Sequence, residues 1–135
     1  MSKAAVIYWS ATGNTQAMAE AVARGAGADL FSVSEFDASS IDSYDAFALG
    51  CPAMGAEELE DGTFLPAFES CEGELSGKKI GLFGSYGWGG GDWMASWEET
   101  CKNDGAQLAA DSVICNEAPD DEAVASCKAL GAALA

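Results

Sequence analysis

The sequence predicts an α/β protein in which helices cover both faces of a parallel β-sheet. Three observations carry this prediction: short apolar runs recur along the chain, a polar or glycine-rich loop follows most of them, and helical periodicity fills most of the intervals between. Strands buried on both faces read as continuous apolar runs rather than alternating ones. Strand–helix alternation closes through right-handed crossovers into one sheet. The 135 residues suffice for one such sheet, and residues 1–135 are expected to form a single domain without repeats or linkers.

Residues 4–9, Ala-Ala-Val-Ile-Tyr-Trp, supply the first and central strand. The polar stretch 10–15 follows, and then Met18, Ala19, Val22, Ala23 and Ala26 recur at helical spacing until Gly25 and Gly27 interrupt them. Residues 29–34 give a second strand through Leu30, Phe31 and Val33, and residues 36–45 read as a polar connection. The third strand, 46–50, stops at Cys51-Pro52, where proline lacks an N–H and restricts its predecessor. A short helix is expected over 64–71 and a fourth strand over 79–84. Residues 85–91 are too rich in glycine for a regular element, and Asp92 is expected to cap a helix reaching Lys102, with Trp93, Met94 and Trp97 on its apolar side. Residues 107–115 contain the fifth strand, centred on Val113 and Ile114, and residues 119–134 form a terminal helix.

Composition narrows the function classes. Twenty-two acids against six cations give a net charge of −16, so no basic stripe can track a phosphate backbone and nucleic acid is excluded as a partner. The same field favours a basic protein face or simply serves solubility. The absence of histidine removes Ser-His-Asp and Cys-His catalysis and histidine metal sites. Cys51, Cys71, Cys101, Cys115 and Cys127 contain no C-x-x-C pair and read as free thiols of a reducing compartment. With no leader-like segment and no apolar stretch near membrane-spanning length, the expectation is a cytoplasmic protein without membrane insertion.

Ligands of open α/β sheets bind beyond the carboxyl ends of the strands, and three unusual loops fall there: 10–15, 51–60 and 85–91. In the first, Ser10, Thr12, Asn14 and Thr15 surround Gly13 beside a helix N-terminus, a donor set suited to a terminal phosphate without a paired cation. An ordinary capped helix start fits the same residues. The dinucleotide G-x-G-x-x-G and the lysine-bearing P-loop are both missing. Trp88 offers a stacking face and Met54 a polarizable one, although core packing also accounts for either residue. Trp9 either shields the phosphate or packs under the sheet edge, and Cys51, with no cation beside it in sequence, reads as structural.

Ser10-Ala11-Thr12-Gly13-Asn14-Thr15, the run from Cys51-Pro52-Ala53-Met54-Gly55-Ala56-Glu57 to Asp61, and Gly84-Ser85-Tyr86-Gly87-Trp88-Gly89 stand in this order along the chain. Together they resemble the short-chain flavodoxins, especially those of anaerobic bacteria, over essentially the whole length. The resemblance implies a flavodoxin-like three-layer sandwich with a five-stranded parallel sheet in the order 2-1-3-4-5 and FMN at its switch point. It implies a phosphate held by Ser10, Ala11, Thr12, Gly13, Asn14 and Thr15, and a flavin ring between Met54 and Trp88. It further implies a Gly55–Ala56 peptide that reorients near flavin N5, and a Glu57 carboxylate that accepts from N3–H. Pro52, Ala53, Ser85, Tyr86, Gly87 and Gly89 complete the implied cofactor-binding set, while Glu58, Glu60 and Asp61 add mainly negative field.

The function so implied is that of a low-potential one-electron carrier, not an enzyme. It holds FMN non-covalently and shuttles electrons through the semiquinone/hydroquinone couple. Its partners are expected to be larger redox enzymes with basic docking faces, met by a monomer. Two other readings stay open: a small FMN-dependent quinone or nicotinamide oxidoreductase, and a signalling or interaction domain without flavin.

Overall fold

A computed structural model of the chain describes residues 3–10, 13–36, 38–54, 58–60, 62–87 and 91–134. Strands β1 (Ala4–Tyr8), β2 (Asp29–Ser32), β3 (Ala46–Gly50) and β4 (Lys79–Tyr86) run parallel in the order β2-β1-β3-β4. Two further segments share the fifth position. β5 (Gln107–Leu108) lies against Lys79 and Ile80, and β6 (Val113–Asn116) lies against Phe83 to Tyr86. The sheet therefore has the expected order 2-1-3-4-5, with its last strand broken. The break at 109–112 contains Asp111 and Ser112, residues poorly suited to a strand, and the single strand expected within 107–115 is corrected accordingly.

Side-chain alternation along β1 divides the core. Ala5 and Ile7 face a layer containing helices α2 (Phe64–Cys71) and α3 (Asp92–Asn103), where Phe47, Leu82, Phe64, Phe68, Trp93 and Trp97 make an aromatic-rich cluster. Ala4 and Val6 face helices α1 (Asn14–Ala26) and α4 (Asp121–Leu134), packed through Met18, Ala19, Val22, Ala48 and Leu130. The small residues of the composition collect on this second face. A Cβ on Gly131 would overlap the Val22 carbonyl oxygen, and one on Gly25 would overlap the Lys128 carbonyl oxygen, so α1 and α4 meet backbone to backbone.

Several element ends differ from the sequence expectation. β4 extends through Ser85 and Tyr86, because β6 offers Cys115 and Asn116 as ladder partners. Asp92 is the first residue of α3 and Gly91 takes the N-cap position, while Asp120 caps α4 by accepting from the Ala123 N–H at 2.8 Å. The polar connection after β2 contains a 3₁₀ segment, Ala38–Ser43.

Candidate functional site

Parallel strands deliver all their carboxyl ends to one pole, and there the structure opens a cleft of about 380 Å³. Volumes of this size suit small cofactors. Ser10, Asn14, Thr15, Pro52, Ala53, Met54, Ser85, Tyr86 and Gly87 line it, so all three sequence-predicted loops converge. Ala11, Thr12, Gly55, Ala56, Glu57, Trp88 and Gly89 lie outside the described residues.

One wall is the start of α1. Gly13 occupies its N-cap at φ 94°, a left-handed conformation that a side chain would resist, and its N–H donates to Ser10 Oγ at 3.0 Å. Intrahelical bonding begins with the Ala17 N–H donating to the Gly13 carbonyl, leaving the preceding N–H groups of the first turn for a ligand or solvent. Thr15 is 1% exposed, and its hydroxyl oxygen accepts from the Ser85 N–H at 3.4 Å. The hydroxyl proton remains available for an anion. An N-terminal helix turn plus a buried hydroxyl meets the requirements of a phosphate group without Lys or Arg.

The floor is built by strand tails that stay in ladder geometry past the strands themselves. The Ala53 N–H donates to the Ser85 carbonyl at 3.0 Å, and the Glu117 N–H donates to the Tyr86 carbonyl at 2.8 Å. Ser85 Oγ donates to the Glu117 carbonyl at 2.7 Å, which ties β4 to the segment after β6. Beneath the floor, Trp93 Nε1 donates to the Cys51 carbonyl at 3.1 Å, and its ring lies 5.7 Å from that of Tyr86. Met54 and Glu58 exchange both backbone hydrogen bonds, at 2.8 and 2.9 Å, so the two ends of the 55–57 segment are pinned together.

Cys51 serves this loop structurally. Its sulfur accepts from the Glu60 N–H at 3.3 Å, and burial pushes its thiol up to about 12, which removes it as a nucleophile. Glu60 has a role that the sequence did not disclose. Its carboxylate accepts from the N–H groups of Gly62, Thr63 and Phe64 at 2.7, 2.8 and 2.6 Å and so caps α2. Burial opposes the charge, but these donors outweigh it and hold the carboxyl below its usual range. The expectation of a mere field contributor is thereby corrected for Glu60. Trp9 is half-buried and packs against the aromatic cluster.

Glu117 and Ala118 also line the cleft, and sequence reasoning missed both. The carboxyl-end rule that singled out three loops applies equally to the segment after the fifth strand, where Asn116-Glu117-Ala118-Pro119 was the available signal. Glu117 adopts φ 58°, a rare left-handed conformation for a non-glycine residue. Among the described residues, no group of three or more His, Cys, Asp or Glu could hold a metal ion, and no helix is long and apolar enough to cross a membrane.

Comparison with known proteins agrees with this geometry. The flavodoxin family model matches residues 6–130. A flavodoxin of Megasphaera elsdenii is 48% identical over 136 aligned positions, covering 96% of each chain, and one of Clostridium beijerinckii is 41% identical over 121, covering 86% of this chain and 88% of that one. The solution structure of the two-electron reduced Megasphaera elsdenii flavodoxin superposes with a TM-score of 0.88 at 40% identity over 97% of both chains. A flavodoxin structure from the domain Archaea gives 0.85 at 28% identity, over 98% of this chain and 95% of that one. By sequence, sheet order and cleft position, the chain belongs to the flavodoxins, electron-transfer flavoproteins that are not enzymes and carry single electrons at low potential through the semiquinone/hydroquinone couple of FMN.

Proposed function

We propose that this chain binds FMN in the described cleft, with its phosphate on the α1 N-terminus and its ring between the 52–57 and 85–89 segments, and exchanges electrons with larger redox proteins bearing basic faces. The observation that carries the reading is the convergence of the α1 first turn, the buried Thr15 hydroxyl and the pinned Met54–Glu58 loop on one cleft. FMN, when bound, supplies the one-electron chemistry, and the protein positions and tunes it. Ser10, Ala11, Thr12, Gly13, Asn14 and Thr15 hold the phosphate. Pro52, Ala53 and Met54 form one side of the ring site, and Ser85, Tyr86, Gly87, Trp88 and Gly89 form the other. Gly55 permits the Gly55–Ala56 peptide to reorient, and Glu57 accepts a hydrogen bond from the ring and keeps added negative charge unfavourable there.

The distribution of charge supports basic partners. Lys3, Lys78 and Lys79 stand at or just before the starts of β1 and β4, and Arg24 and Lys102 sit in the last turns of α1 and α3. Five of the six cations thus occupy the pole opposite the cleft. Lys128 lies midway along α4, so the cleft pole carries no Lys or Arg. A basic face would be steered toward the cleft end. A single cytoplasmic domain acting as a monomer completes the proposal.

The direct test is FMN uptake by apoprotein, followed by an anaerobic reductive titration read in the visible spectrum. Stoichiometric binding with one-electron stages supports the proposal. Failure to take up FMN, or appreciable steady-state NAD(P)H oxidation by the loaded protein, overturns it.

A further inference from the structure

An apolar cavity of about 50 Å³ lies between the sheet and α2, and it shares no lining residue with the cofactor cleft. Ile7 on β1 and Phe47 and Leu49 on β3 line its sheet side. Phe64 and Phe68 on α2, with Ile41 in the 3₁₀ segment, line the side facing the sheet. Its outer end lies at Ala67, Ser70 and Cys71, where Ser70 is exposed and the other two are half-buried. Rigid rings account for the gap. Phe64 and Phe68 stack at 6.4 Å with their planes 8° apart, and Phe36 meets Phe47 edge-on at 6.0 Å. Flat rings cannot bend into the space between them, whereas close-packed interiors otherwise leave few voids larger than a water molecule.

The chemistry of the wall keeps this cavity dry. A buried water needs about two to four polar partners. Among the described lining residues, only Ser70 and Cys71 carry a side-chain oxygen or sulfur, and both are engaged. Ser70 Oγ donates to the Ala67 carbonyl at 2.6 Å, and Cys71 Sγ lies 3.8 Å from Ser70 Oγ. The remaining wall atoms face the void without a van der Waals partner. An apolar guest supplies those contacts and displaces no hydrogen-bonded water. Volume then sets the size of the guest. A dry cavity of about 150 Å³ accepts benzene, so one a third as large suits roughly two or three heavy atoms.

We propose that the cavity beneath α2 is a binding site for one small, uncharged apolar molecule, of the size of a xenon atom or a hydrocarbon of roughly two or three carbons. The guest enters past Ala67 and Cys71, where the lining is least buried. Selection is by size and polarity, because no lining side chain can pair with a charge. The site is separate from the cofactor cleft, so the inference goes beyond the electron-carrier reading and does not rest on it.

The test uses methyl-labelled, FMN-loaded protein equilibrated under rising xenon pressure and followed by ¹H–¹³C spectra. Saturable shifts are expected at the methyls of Ile7, Val33, Ile41, Leu49 and Leu75, while Val22, Leu130 and Leu134 on the opposite face of the sheet stay unmoved. Benzene exceeds the cavity and should move neither group. Ala67→Leu and Cys71→Leu fill space from the helix side, and each should weaken xenon binding by at least about tenfold. The amide spectrum of each variant scores its fold; should neither fold, the contrast between xenon and benzene in the wild-type protein decides alone. Equal xenon shifts on both faces of the sheet, undiminished binding in a folded variant, or water cross-peaks to the Ile41 and Leu49 methyls would overturn the proposal. The gas titration reads the same methyls with or without flavin, so a failure of FMN uptake counts against the cofactor reading and leaves this one standing.

Discussion

Replacing Thr15 by valine isolates the phosphate end of the cleft. Valine keeps the β-branched shape of this almost fully buried residue and removes only the hydroxyl. Two interactions are lost. The Ser85 N–H loses an acceptor at 3.4 Å, a long bond whose loss costs stability by about 0.5–1 kcal/mol. The phosphate loses a charge-assisted donor in a desolvated position, about 1.5–3 kcal/mol. At ~1.4 kcal/mol per tenfold, FMN affinity should fall by roughly 10- to 100-fold. Riboflavin, which has the ring and lacks the phosphate, should bind wild type and variant within about twofold. The assay is titration of apoprotein with each flavin, followed by quenching of flavin fluorescence, with urea midpoints recorded in parallel. An equal loss for both flavins would mean that Thr15 shapes the floor through Ser85 and does not hold the phosphate. Unchanged FMN affinity would refute the anion-site argument outright.

Glu72→Gln tests the carboxyl pair formed where Glu72, just after α2, meets Asp104, just after α3. Burial, the hydrogen bond with Asp104 and the neighbouring charges raise the Glu72 carboxyl to about 7. Because the folded state holds this proton more tightly than the unfolded chain does, the associated stability is full at acid pH and is lost as pH rises toward and through 7. Gln, which cannot ionise, should match the wild-type urea midpoint near pH 4 and exceed it at pH 8; a difference that does not grow with pH would remove the pair. Gly131→Ala should lower stability by about 1–3 kcal/mol, because the backbone carbonyl of Val22 cannot move aside, and lower Tm by roughly 5–15 °C. A midpoint unchanged by calorimetry would show that the α1–α4 seam can open. Glu57→Gln should raise the potential of the more reducing couple in spectroelectrochemistry, and a lower value would overturn the electrostatic account.

The legible parts of this protein were those where one local pattern had one structural outcome. The apolar runs of β1 and β3 and the helical spacing of Met18, Ala19 and Val22 lead directly to the two-faced sheet. The convergence of three loops followed from the carboxyl-end rule, without knowledge of any distance. Long-range partners were not legible. Ser85 and Tyr86 read as loop residues beside the glycines, yet β6 draws them into the ladder. A local role was missed as well: Glu60 read as one acid among several, because residue type alone does not show that the turn entering α2 aims the N–H groups of Gly62, Thr63 and Phe64 at its carboxylate. The break between β5 and β6 followed the same logic in reverse, since Val113 and Ile114 marked the strand but not the interruption before it.

The glycine seam between α1 and α4 has a consequence for how the protein meets its cofactor. Helices separated by long side chains can slide as those side chains change rotamer, whereas helices locked at Gly25 and Gly131 have no such slack. The far end of α1 is thereby moored, and its first turn keeps one station with or without a bound anion. On the proposed reading, the phosphate of FMN is received by a helix end that need not rearrange, so little of the binding free energy goes into positioning that wall of the cleft.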